Sequence, residues 1–185
     1  QKTAEQHRVA LVLPTYPKNA DEVRSMTTRT LQEADEALRK LVAQDKRTLT
    51  FASTFGAFDA ITGDVASFAG RIETVAETSE DKAMRDLARE MAVRIEEWGI
   101  ALDYREDIYL VLKAFAERAE GLDAEEQRLV DFTLREYRRA GLTLPPEERR
   151  EVEQRRKELS ALEQQFAVNI NEARAAIDFT AEELA

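Results

Sequence analysis

Cysteine is absent from the 185 residues and histidine occurs once, at His7. The first absence removes disulfides, thiolate metal ligands and cysteine nucleophiles together. The second removes a helical zinc-peptidase centre, which needs two imidazoles one turn apart with a glutamate base between them. A serine nucleophile would lack its imidazole partner, and the chain holds neither a Gly-x-Ser-x-Gly elbow nor a Gly-rich phosphate loop. Glu-x-x-His pairs, which hold two metals inside a helical bundle, do not occur. His7 lies in an irregular N-terminal stretch and reads as an exposed surface residue. The expectation is therefore no catalytic, no cofactor-binding and no metal-binding residue in this chain.

Proline and glycine are also scarce, at four and six residues, whereas 43% of the chain is apolar and 35% charged. That composition is far from disorder and favours long, solvent-exposed helices. No apolar run approaches the ~20 residues of a membrane span, and Val9 to Leu13 is too short for the core of a signal peptide. The formal net charge of −10 repels polyanions, so neither nucleic acid nor an anionic bilayer is an expected partner. A basic cluster at Arg149, Arg150, Arg155, Arg156 and Lys157 is neutralised by Glu147, Glu148, Glu151, Glu153 and Glu158 and reads as a solvated helix face. Glu151 with Arg155 and Glu153 with Lys157 stand at i,i+4 in the favourable order, each worth about 0.2–0.5 kcal/mol. The cytoplasm is the expected compartment, with a periplasmic or secreted location left open. A start at Gln1 instead of Met points to upstream residues removed or missing.

What is present is helical periodicity, and it predicts an all-α fold: one antiparallel layer or bundle of about five helices, elongated, with a short extended segment near the C-terminus. Pro14 and Pro17 make residues 1–18 an extended entry. Helices are expected over 19–44, opened by an Asn19-x-x-Glu22 capping box, and over 50–76, with Phe55, Phe58, Ile61, Val65, Phe68, Ile72 and Val75 on one stripe. A third spans 79–118 along Met84, Leu87, Met91, Ile95, Trp98, Leu102, Ile108, Leu112 and Phe115. Unbroken, it would be about 58 Å long, against a diameter of about 40 Å for a compact domain of this length. It therefore kinks near Gly99 or belongs to a slab that leans on something else. Asp123-x-x-Glu126 caps a fourth, over 123–140, and Pro145 and Pro146 open a fifth, over 145–174. Its apolar positions are Val152, Leu159, Leu162, Phe166, Ile170 and Ala173. Residues 176–185 are a strand-like run, Ala176 to Thr180, followed by a helix start at the Thr180–Glu183 capping box. A lone short strand has no mate in this chain, which suggests truncation.

Gly56, Gly63 and Gly70 recur at spacing seven inside the second helix, where each costs about 0.8–1 kcal/mol relative to alanine. Close packing of a neighbouring helix is the expected reason, ahead of a groove for another backbone. Carboxylate pairs such as Glu96–Glu97 and Asp103–Asp107 read as helix-surface charge, and Trp98 with the phenylalanine stripe as core.

Two segments resemble the thimet oligopeptidase, neurolysin and oligopeptidase A family of zinc metallopeptidases. One is the tail, Gly141-Leu142-Thr143-Leu144-Pro145, then a long charged helix, the Asn169/Asn171 pair and the Phe179-Thr180 segment leading into Glu-Leu. The other is Arg105-Glu106-Asp107-Ile108-Tyr109, similar to the family's Arg-Glu-Asp-Ile-Phe/Tyr stretch. A weaker likeness, Thr50-Phe51 and the run Phe55 to Asp59, corresponds to the entry of the family's second helix, with Ser53 where Asn is usual. The resemblance covers about residues 50–185 and none of its motifs is catalytic. It implies the N-terminal helical portion of a peptidase whose two halves flank a deep channel, this portion walling the channel against all but short peptides. Zinc would be expected in a missing C-terminal catalytic domain, the implied partner. The rival reading is a free-standing helical module that binds another protein.

Overall fold

The computed structural model describes residues 14–173. His7, the strand-like run 176–180 and the Thr180–Glu183 box lie outside the described residues. The described residues form six α-helices: α1 (Ala20–Val42), α2 (Ala57–Thr78), α3 (Lys82–Asp103), α4 (Glu106–Ala116), α5 (Ala124–Arg139) and α6 (Pro146–Glu172). A single π-helical turn, Ala52–Gly56, leads into α2. No strand occurs among the described residues, so the fold is all-α, as the periodicity predicts.

The helix starts follow the capping residues. Asn19 is extended and its side chain accepts from the Glu22 N–H at 2.9 Å, satisfying one of the free donors of the first turn of α1. The Glu22 carboxylate reaches back one residue further than in a standard box, accepting from the Lys18 N–H at 2.9 Å. Asp123 and Glu126 form the complete reciprocal box at the start of α5. At the π-helical turn, Thr50 and Ser53 exchange hydrogen bonds, each backbone N–H donating to the other's hydroxyl at 3.1 Å. Thr54, fully buried, donates to the Thr50 carbonyl at 2.6 Å.

The expected third helix over 79–118 is two helices, and the break is at Tyr104–Arg105, not at Gly99. Arg105 is extended (φ −76°, ψ 91°) and its guanidinium grips Asp107 through two bonds of 2.7 and 2.6 Å. Residues at i and i+2 point to opposite sides of an α-helix, so this pair closes only if Arg105 leaves the helix. Asp107 then sits in the first turn of α4, where a carboxylate is favoured by the exposed N–H groups. The break reduces a 58 Å rod to α3, about 33 Å long, which suits a compact domain.

Two apolar clusters make the core. One lies among the first half of α1, α2 and α3, with Val23, Phe68, Ile72 and Ala88 at its centre. The other gathers Leu38, Phe55, Ile108, Leu112, Val130 and Tyr137 from α1, the π-helical turn, α4 and α5. Ile61 and Trp98 pack against both, and the Trp98 indole N–H donates to Asp35 at 2.8 Å. In α1 the buried threonine is Thr27, whose hydroxyl donates to the Val23 carbonyl at 2.7 Å. Among the described residues the glycines of α2 do not serve a neighbouring helix: apart from the helix's own nearby backbone, no described atom lies within 4 Å of where a Cβ would stand at Gly63 or Gly70, and both are exposed. Gly56 is half-buried against its own Phe51. Gly141, by contrast, is required: at φ 97°, an added Cβ would stand 2.9 Å from the Leu144 side chain.

Candidate functional site

The Gly141 to Pro145 turn and the Arg105 to Tyr109 corner, far apart in sequence, are joined by one side chain. Arg149, in the first turns of α6, donates to the Glu106 carboxylate at 3.1 Å and to the Leu142 and Leu144 carbonyls at 3.1 and 3.2 Å. Its side chain is only 13% exposed. The turn can present two carbonyls to one guanidinium because Gly141 takes a left-handed conformation that reverses the chain there. Leu142 is buried against the second core cluster and anchors the turn from its other side.

Further along α6 the attachment stays polar. Arg156 donates to Asp103 at the end of α3 at 2.7 Å, Asn171 to Glu77 of α2 at 3.3 Å, and Arg89 of α3 to Glu172 at 3.3 Å. The least exposed positions of α6 are Arg149, Glu153, Lys157, Ser160, Gln164 and Val168. Their spacings of three and four mark one helix face, and that face is the one turned to α3. Lys157 and Glu153 close their pair at 2.8 Å within it. The apolar stripe lies about two-fifths of a turn away, nearly on the opposite face, and points out: Leu159 is 55% exposed, Leu162 68%, Phe166 66% and Ile170 59%. α6 has 27 residues and none is buried.

The carboxylate pairs singled out in the sequence lie among solvated or ion-paired side chains. Glu96 and Glu97 are exposed, Asp103 is paired with Arg156 and Asp107 with Arg105. The hydrogen bond from Arg105 holds the Asp107 carboxyl below the ordinary carboxylate range, against the opposing effect of partial burial. Burial, reinforced by the charge of nearby Asp103, pushes the Tyr137 phenol well up and keeps it protonated. Among the described residues no group of three His, Cys, Asp or Glu side chains is placed to hold a metal ion. The donor chemistry of a zinc centre, two imidazoles and a carboxylate, does not fit a chain with one histidine.

Asp107 provides a pH test. Its folded-state pKa is lowered, so its contribution to stability is fully present above the unfolded value of about 4 and is lost as pH falls through the folded value. The Asp107→Asn variant is expected to lose less stability than the parent chain between pH 6 and 3. Urea unfolding at each pH measures this, and the effect is small because the carboxylate is 44% exposed.

Sequence reasoning located both motifs but missed what joins them and which way α6 turns. The clamp left one legible signal, an arginine three residues after the paired prolines on a helix otherwise rich in solvated charge. A neutralised charge cluster conceals which of its members is buried.

No protein-family model matches the chain. The chain is 26% identical over 182 residues to the thimet-like oligopeptidase of Dictyostelium discoideum, covering 94% of this chain and 27% of that protein. It is 28% identical over 102 residues to the probable thimet oligopeptidase of Arabidopsis thaliana, 55% of this chain and 14% of that one. Saccharolysin of Saccharomyces cerevisiae is 28% identical over 110 residues, 57% of this chain and 15% of its own length. The resemblance read from the sequence thus extends over nearly the whole chain, which spans about a quarter or less of the relatives it matches.

Proposed function

We propose that these residues are a non-catalytic, N-terminal helical portion of a zinc-dependent oligopeptidase, and that they wall the channel through which short peptides reach a catalytic domain elsewhere in the polypeptide. The observation that carries this reading is the coverage: 94% of this chain aligns to 27% of an oligopeptidase-like relative. Two features support it. The two best-matching motifs meet at Arg149, so the resemblance coincides with a physical joint in the fold. Among the described residues no three His, Cys, Asp or Glu side chains are grouped to hold a metal ion, which accords with a segment lying outside the catalytic centre. The parent reaction would be hydrolysis of internal bonds in short peptides, and its catalytic groups are not sought among these residues.

The 185-residue chain, purified and dialysed against zinc, is expected to hold far less than one zinc per chain and to leave quenched fluorescent peptides intact. Metal analysis and a fluorescence assay measure both. Zinc near one per chain, with peptide cleavage that chelation abolishes, would overturn the assignment.

A further inference from the structure

We infer that the outward stripe of α6, Leu159, Leu162, Phe166 and Ile170, is the seam on which the remaining polypeptide of a longer protein packs through an apolar helix or sheet face. This rests on the reading above, that the chain is one portion of an oligopeptidase-like whole. The helix is amphipathic with the opposite sense to its neighbours. α1 to α5 each bury an apolar face, whereas α6 turns arginine, glutamate and lysine inward and leaves its large apolar side chains 55–68% exposed. Large apolar side chains held in water oppose the hydrophobic effect, so a stripe of four is a strong docking face and an unfavourable solvent face.

Its shape also suits a packed partner. At its N-terminal end the stripe begins in a trough of ≈ 430 Å³ between the Leu144 turn and α6, walled by Val152, Leu159 and the stems of Arg155 and Arg156. A leucine- or phenylalanine-sized knob fits that volume, and Glu148 and Glu151 at its edge suit a basic rim on the partner. The occupant follows from length. Nearly three-quarters of the Dictyostelium relative lies outside the region this chain matches, and chain tethered to α6 would meet the stripe at an effective concentration in the millimolar range. A second copy is disfavoured, since each copy carries a formal charge of −10.

The test compares the 185-residue chain with the longest product of the natural reading frame that contains it. Hydroxyl-radical footprinting read by mass spectrometry reports Leu159, Leu162, Phe166 and Ile170 individually. Modification of these four is expected to fall at least tenfold in the long product. A double variant, Leu162→Glu with Phe166→Glu, is expected to leave the melting temperature of the short chain unchanged and to lower that of the long product. Equal stripe reactivity in the two forms, or a variant neutral in both, overturns the inference. Protection that appears only on raising the concentration of either form also overturns it, in favour of self-association. A long product that binds zinc yet leaves the stripe reactive defeats the seam alone. A reading frame ending near Ala185 defeats the seam and the proposed function together.

Discussion

Phe55→Ala is expected to lower the unfolding free energy by about 3–5 kcal/mol. Phe55 is 1% exposed and occupies the π-helical turn that launches α2. Its ring stacks on Phe51 with centroids 6.3 Å apart and meets Phe115 of α4 at 5.9 Å, so one side chain ties the start of α2 to the far side of the second core cluster. Truncation removes the transfer energy of the ring and leaves a cavity, because neighbours held by the Thr50–Ser53–Thr54 hydrogen bonds cannot close in. Against a typical total of about 5–15 kcal/mol, that loss is severe. Urea denaturation should show a lower midpoint with an unchanged slope. Phe132→Ala, at a 53% exposed ring on α5, should cost less than about 1 kcal/mol. A Phe55→Ala effect as small as that of Phe132→Ala would contradict the packing described.

Arg149→Ala is expected to release α6 from the bundle at a cost of about 2–3 kcal/mol. The guanidinium serves one carboxylate and two carbonyls, and its removal leaves the Leu142 and Leu144 carbonyls without that donor. Because α6 buries no residue, little apolar packing compensates. The loss should therefore be local: amide hydrogen exchange in α6 should accelerate by one to two orders of magnitude while the amides of α1 to α3 keep their protection. Glu106→Gln should have a smaller effect, below about 1 kcal/mol, since that carboxylate is 58% exposed. Uniform acceleration across all helices would show that Arg149 supports the whole core, and no acceleration would show that the clamp is idle.

The helices were legible because their ends are chemically marked. Asn19 and the Asp123–Glu126 box start α1 and α5 where their side chains accept free N–H groups, and Gly141 reverses the chain after α5. The break between α3 and α4 was not legible, because the apolar stripe runs through it: Leu102, Ile108 and Leu112 are all buried. An i,i+2 ion pair marks the break, and no periodicity reports one. The glycine repeat of α2 misled for the opposite reason. A spacing of seven places three glycines on one face, yet spacing carries no information about whether another helix approaches it. The same limit applies to α6, whose pattern shows which face is apolar and not which face meets the bundle. Composition limits one chemistry directly, since a single histidine cannot supply the two imidazoles of a helical zinc site.

We propose that these residues belong to a larger oligopeptidase-like protein. The most direct test is the intact mass of the natural polypeptide, captured with an antibody against α5 and read by mass spectrometry. The expected result is a species several times heavier than the 21.1 kDa of this chain, with a His-Glu-x-x-His segment downstream of Ala185. A natural polypeptide of about the mass of this chain, with no such segment, would contradict it and favour a free-standing helical interaction module.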